Sequence, residues 1–224
     1  AISNSLVLNQ ENQVKLFSHD IKKVEDINYR KRNSIVYPNT VLNSRVTAIN
    51  NFTLLKEFNV IFIAIPSYAI LPFLNENKIF ISDKTLVVNL AKGLISADNT
   101  IVELIKELVP NCYVASMKGP SFAIELLNGA NTLFTFGSKD SQIFELINSI
   151  TSGTNIFLDF TKDIKGVELL SVFKNIYAIL LGYIDAKYNS SNTRFLILTK
   201  AFGELNILMQ EFHCEKETLN LACG

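Results

Sequence analysis

Lys174 lies in the run Val167-Glu168-Leu169-Leu170-Ser171-Val172-Phe173-Lys174-Asn175-Ile176-Tyr177-Ala178-Ile179-Leu180-Leu181-Gly182. That run is apolar nearly all round at helical spacing, which predicts an interior helix. Ser171 at i−3, Ala178 at i+4 and Gly182 at i+8 give the lysine a small-sided face with room beside an ammonium. A buried ammonium needs a carboxylate or a substrate oxyanion, since an unpaired one loses its proton. The competing reading is a packing stripe from which Lys174 snorkels to the surface. Lys92, in Asn89-Leu90-Ala91-Lys92-Gly93-Leu94, follows a strand-like run directly. Ligands of open α/β sheets bind beyond the carboxyl ends of strands, and Gly93 would let backbone approach one closely. An ordinary strand-to-helix loop explains the same residues.

Two further segments carry weaker signals. In Lys118-Gly119-Pro120-Ser121-Phe122-Ala123-Ile124-Glu125-Leu126-Leu127-Asn128-Gly129, Pro120 near a helix start and Gly129 past its end fit capping rules, and Ser121 and Glu125 put polar groups in the first turn. Such a start offers free N–H groups to an anion, although plain capping accounts for it too. Ser18-His19-Asp20 ends a short strand where a dinucleotide fold meets the adenosine ribose, although on its own it reads better as a solvated turn. His213 has no nucleophile or metal partner near it in sequence. No G-x-S-x-G, P-loop, H-E-x-x-H or EF-hand pattern is present.

These positions need a scaffold, and the chain predicts one. Residues 1–8 suit the latter part of a helix, and 14–18 a short strand reached through the polar loop 9–12. Apolar runs at 60–65, stopped by Pro66, at 85–90 and at 113–116 lack polar alternation, so they predict strands covered on both faces in a parallel sheet. Residues 99–108 carry Ile101, Leu104, Ile105 and Leu108 at helical spacing. Two more strands at 132–136 and 155–158 bracket a helix at 141–150. After Asp159 strands cease, and helices are expected at 167–183 and 193–210 around a polar loop at 187–192. The alternation argues for an α/β, Rossmann-like doubly wound sheet followed by a helical region, with a boundary near Thr161. The final segment, 219–224, is apolar and small, so the helical region reads as unfinished.

Composition removes several function classes. The 224 residues are 48% hydrophobic and 19% charged, enough for a core and too little charge for a disordered chain. Lys and Arg number 21, as do Asp and Glu, so there is no overall basic field for nucleic acid or an anionic membrane, and an anionic ligand must be held locally. Cys112, Cys214 and Cys223 form no C-x-x-C pair and have no His cluster, which points to a reducing compartment and no zinc. The longest apolar stretches are too short for a bilayer or carry Lys and Asn in the middle, so no membrane insertion is expected. The first residues lack an initiator Met and the basic start of a signal peptide, and they read as the inside of an element already under way.

Taken together and in order, the segments resemble the bacterial type of NAD(P)-dependent glycerol-3-phosphate dehydrogenase. The resemblance runs through Val14 to Asp20, Ile63-Ala64-Ile65-Pro66-Ser67, Asn89 to Leu94, Gly119 to Leu126, Gly166-Val167-Glu168 with Lys174-Asn175-Ile176-Tyr177-Ala178, and Asn192 to Glu204. The Gly-Pro-Ser-Phe-Ala and Lys-Asn-Ile-Tyr-Ala-Ile segments are its most specific parts. It implies a dinucleotide-binding domain over 1–160, without its first strand and glycine loop, and an incomplete helical substrate domain over 161–224. It further implies that Lys174 is the catalytic lysine, with Asn175 beside it at the substrate. Lys92 would touch both cofactor and substrate, Gly119 and Ser121 the substrate, and His19, Pro66, Ser67 and Ala123 the cofactor. The implied reaction interconverts dihydroxyacetone phosphate and sn-glycerol 3-phosphate with NAD or NADP and supplies glycerol 3-phosphate for phospholipid synthesis. A cytoplasmic homodimer goes with it. The cofactor's 2′-phosphate is left open, because His19 replaces a clear Arg while Lys22 and Lys23 follow it.

The chain also departs from the family's pattern. Lys118 stands where a small residue is usual, and Ala201-Phe202-Gly203 varies a Gly-Leu stretch. The glycine-rich loop is expected before Ala1, and the Arg-Asn pair that grips substrate phosphate at or beyond Gly224. Two other readings stay open: a related Rossmann-plus-helical reductase of another small keto or hydroxy acid, and a non-catalytic binding or assembly module.

Overall fold

The computed structural model describes residues 1–95, 99–221 and 223; Ala222 and Gly224 of the apolar final segment lie outside the described residues. The centre is a five-stranded sheet in the order β3 (Val60–Ile63), β4 (Leu86–Asn89), β5 (Tyr113–Lys118), β6 (Thr132–Gly137) and β7 (Ile156–Thr161). All four residues of β4 are buried, which explains its unbroken apolar run: a strand between two neighbours with both faces covered has no side to turn to water. A separate parallel pair, β1 (Lys15–Phe17) and β2 (Thr47–Ile49), stands beside it. Sequence reading found β1 and missed β2, whose three residues are too few to show a period.

The three runs expected in a parallel sheet, β3, β4 and β5, are parallel neighbours. The next strand, β6, runs antiparallel to β5 and parallel to β7. The reason is the connection. A parallel return must travel back along the strand, about 20 Å for six residues, and the intervening helix α5 (Ala123–Leu127) has only five residues, a rise of about 7.5 Å. The chain therefore turns round at Gly129, whose φ of +85° ends α5, and enters β6 from the near end.

Helices flank the sheet: α1 (Ile2–Leu6), α2 (Ile21–Glu25), α3 (Ser67–Asn77), α4 (Ile101–Leu108) and α6 (Ser141–Thr151). The sequence of α4 defines its own start, since Thr100 and Glu103 make a reciprocal capping box and Ile101 and Ile105 turn inward. After β7 come α7 (Ile164–Tyr188) and α8 (Ser191–Glu211), then a short 3₁₀ turn at Lys216–Asn220, and no strand follows Thr161 among the described residues. The polar loop expected at 187–192 shrinks to two residues. Asn189 takes the left-handed conformation that closes α7, and the Ser190 hydroxyl caps α8 by accepting from Thr193 N–H.

The expectation of an interior helix around Lys174 holds only for its beginning. From Ile164 to Ser171, α7 lies against the sheet, whereas Ala178 and Gly182 are exposed, as are Ile176, Ile179 and Tyr183. The sheet reaches only the first two turns, and beyond them α7 packs chiefly along α8, with Phe173 against Phe212, so much of its circumference stays bare. Among the described residues α7 is also the helix long and apolar enough to cross a membrane by length and composition, a test that core helices pass as well.

Candidate active site

The carboxyl ends of β4 and β5 and the start of α7 meet around one buried carboxylate. Glu168 Oε1 accepts from Asn89 Nδ2 at 2.6 Å and from Ser116 Oγ at 2.9 Å, and Oε2 accepts from Val102 N–H at 3.2 Å. Parallel pairing sets Asn89 opposite Ser116, which brings both side chains to the same acceptor. Lys118, two residues on and on the same face, places its Nζ 3.6 Å from Glu168 Oε1. That ammonium also donates to the carbonyls of Asn89 at 3.0 Å and Ala91 at 2.6 Å. Lys118 is 2% exposed and Glu168 3%, so this is an ion pair inside the protein. Burial drives the Lys118 pKa down to about 8 against the opposing pull of Glu168, and Lys92 adds to the depression.

Lys92 and Lys174 lie at the rim of this arrangement. Lys92 is exposed at the end of the loop that Lys118 holds, and Lys174 is half-buried on α7, six residues past Glu168. Desolvation lowers the pKa of Lys174, the nearby Lys92 charge lowers it further, and Cys223 opposes them. The two lysines are 82 positions apart in the chain and yet within electrostatic reach. Lys92 is within electrostatic reach of both Lys118 and Lys174, so three like charges gather near the carboxyl ends of β4 and β5.

The other predicted positions fall into three groups. Pro66 and Ser67 open α3 at the end of β3, and Gly93 presses on them: a Cβ at Gly93 would sit 2.9 Å from Ser67 Oγ, and its φ is +135°. The loops carrying Lys92 and Ser67 therefore touch. Gly119 is buried against β6, where a Cβ would lie 2.5 Å from the carbonyl oxygen of Leu133, and the N–H of Ser121 donates back to the Gly119 carbonyl at 2.9 Å. Ser121 was expected within a helix's first turn; α5 instead begins at Ala123 with Phe122 as an uncapped N-cap, because the Gly119–Ser121 turn occupies the preceding residues. Asn175 is exposed beside Lys174. His19 stands on the separate two-stranded sheet, in a turn where Asp20 caps α2 by accepting from the N–H groups of Lys22 and Lys23.

Sequence reading assigned no role to Asn89, Ser116, Lys118 or Glu168 as a group. A signal was present: each is a polar residue inside an otherwise apolar run, and polar side chains at such positions require partners. In the sequence Lys118 stands out only as a departure from the small residue usual there. Its partner could not be named from a separation of 50 positions.

Comparison with known proteins places both regions of the chain in one family. The family model described as the NAD-dependent glycerol-3-phosphate dehydrogenase N-terminus matches residues 1–144, and that described as its C-terminus matches residues 163–224. A glycerol-3-phosphate dehydrogenase [NAD(P)+] from Methanothermobacter thermautotrophicus is 30% identical over 213 residues, covering 94% of this chain and 65% of the relative. The protein of the same name from Neorickettsia sennetsu is 25% identical over 225 residues, covering 100% of this chain and 67% of its own. The chain thus spans about two thirds of the length of the curated relatives it matches. The crystal structure of glycerol-3-phosphate dehydrogenase from Coxiella burnetii superimposes with a TM-score of 0.89 at 26% identity, over all of this chain and 69% of that one. With both the sheet region and the helical region matched in order, the chain belongs to the NAD-dependent glycerol-3-phosphate dehydrogenase family.

Proposed function

We propose that the protein interconverts dihydroxyacetone phosphate and sn-glycerol 3-phosphate with NAD or NADP, so supplying glycerol 3-phosphate for phospholipid synthesis. The observation that carries this reading is the match of the sheet region and the helical region, in order, to the N-terminal and C-terminal glycerol-3-phosphate dehydrogenase family models. Residues 1–160 would hold the dinucleotide and residues 161–224 would contribute to the substrate side.

The residues present fit a dinucleotide. The end of β3 carries exposed Ala64 and Pro66, the N-terminus of α3 has no side-chain cap, and Gly93, after β4, packs so closely on Ser67 that a Cβ there would push the two loops apart. Pro66, Ser67, Lys92 and Ala123 would line its nicotinamide side, and His19 its ribose end. When bound, the reduced nicotinamide supplies a hydride. Charge developing on the C2 oxygen of dihydroxyacetone phosphate then meets the ammonium of Lys174, which donates a proton to that oxygen. Its lowered pKa makes it a readier donor than an ordinary lysine. In the reverse direction the neutral amine takes the proton back. Lys92 orients the substrate against the cofactor, with Asn175, Gly119 and Ser121 bordering the same space.

A cytoplasmic homodimer, with no membrane insertion and no nucleic-acid partner, accompanies this reading. The exposed apolar side chains of Ile179, Phe195 and Ile207 on α7 and α8 supply surface for association. The test is steady-state reduction of dihydroxyacetone phosphate by NADH and NADPH with full-length protein. Lys174→Ala should lower kcat by roughly 10²- to 10⁴-fold while cofactor binding, titrated separately, stays near normal. A near-normal kcat would reduce Lys174 to a packing residue.

A further inference from the structure

We propose that Lys118 is a positioning residue that fixes the loop carrying Lys92 against the helix carrying Lys174. The inference rests on the proposed activity for its kinetic part only. Three contacts define the geometry. The Lys118 ammonium bonds the carbonyls of Asn89 and Ala91, the two residues that bracket the last step before Lys92. On its other side it pairs with Glu168, which is anchored on α7 below Lys174 and on β4, β5 and α4 by Asn89, Ser116 and Val102. The Asn89 side chain closes the circuit, because its Oδ1 accepts from Ala91 N–H at 2.9 Å. One ammonium therefore ties the strand-end loop to the helix.

A lysine is well suited to this task. Three donors on a flexible stem can satisfy two carbonyls and a carboxylate at once, whereas an apolar residue would leave all three acceptors short of a partner. A merely stabilising lysine would be an uneconomical choice here, since well-packed apolar residues often serve a core as well as a buried ion pair. The groups facing Lys118 are Glu168 from α7 and Lys92 from the loop after β4, and its depressed pKa records that it is held charged at some cost.

The experiment uses the full-length protein with Lys118→Met, which preserves stem length and removes every donor. Deuterium uptake in the segment 89–95 is expected to rise at least tenfold over wild type while uptake across β6 and β7 stays unchanged. Loss of hydrogen bonds to a charged donor corresponds to about ten- to hundredfold, so kcat/KM for dihydroxyacetone phosphate should fall by that factor, with the larger share in KM because Lys174 is untouched. Unchanged uptake in 89–95 would overturn the proposal, as would an equal rise across the whole sheet, which marks a general structural role, or a fall in kcat alone. If Lys118→Met does not fold, Lys118→Ser, which admits water to the acceptors, replaces it under the same criteria. Failure of the wild-type protein to reduce dihydroxyacetone phosphate would overturn the proposed activity instead, and the exchange comparison would then decide the role of Lys118 alone.

Discussion

The ammonium of Lys118 makes stability depend on pH in a direction that can be worked out. In the folded protein its pKa is about 8, and the ordinary lysine value is 10.5. Between those two values the unfolded chain binds a proton that the folded chain has lost, so stability rises with pH across that window. Below pH 8 both states are protonated and the cost of burying the charge is fully present. At 1.36 kcal/mol per pH unit the gain from pH 8 to 10.5 amounts to about 3 kcal/mol, a large part of the 5–15 kcal/mol that holds a typical domain together. Urea unfolding of full-length wild type and Lys118→Met at pH 7, 8, 9 and 10 isolates the effect, because every other ionisable side chain is common to both proteins. Wild type should gain on the variant steadily above pH 8. A difference that stays constant to within about 0.5 kcal/mol, or that moves against wild type, would refute the reasoning, since it would mean that Lys118 does not titrate in this range.

Substitutions at three other positions test neighbouring parts of the site. Glu168→Leu strips an acceptor from Asn89, Ser116 and Val102 and leaves the Lys118 charge unpaired, which should cost about 3–5 kcal/mol in urea unfolding, whereas Glu168→Gln keeps most of the hydrogen bonds and should cost less. Gly93→Ala forces a methyl group to within 2.9 Å of Ser67 Oγ on a backbone with φ of +135°, so titration with NADH should show affinity reduced by roughly tenfold, about 1.4 kcal/mol. Gly119→Ala drives its methyl into the Leu133 carbonyl at 2.5 Å, and the melting temperature should fall in step with a cost of about 1–3 kcal/mol.

Much of the scaffold could be read from local pattern. The unbroken apolar runs that became β3, β4 and β5 announced a covered sheet, because burial on both faces removes alternation whatever the neighbours are. Thr100 and Glu103 marked the start of α4 through contacts that span three residues. The motifs around Lys92, Gly119 and Lys174 carried the family resemblance, since residue type at short spacing survives in a single chain. Long periodic runs were less secure guides to burial. The apolar stretch after Ser171 has the composition of a core helix, yet composition cannot say how far along it a sheet extends.

The tertiary structure alone assembled the site. Lys118 meets Glu168 across 50 positions, Glu168 meets Asn89 across 79, and Lys174 feels Lys92 across 82. No local periodicity encodes such pairings; they follow from strand order, from the parallel register that sets Asn89 opposite Ser116, and from the angle at which α7 leaves β7. The reversal at Gly129 was equally hidden, because a helix of five residues and one of ten begin with the same sequence signals, and only the distance the chain must cover shows which has formed. Residue chemistry named the lysines through their own neighbours in the chain. Their mutual position depends on a buried carboxylate whose partners come from three separate elements, and a charge inside a protein is held only where folding delivers all of them together.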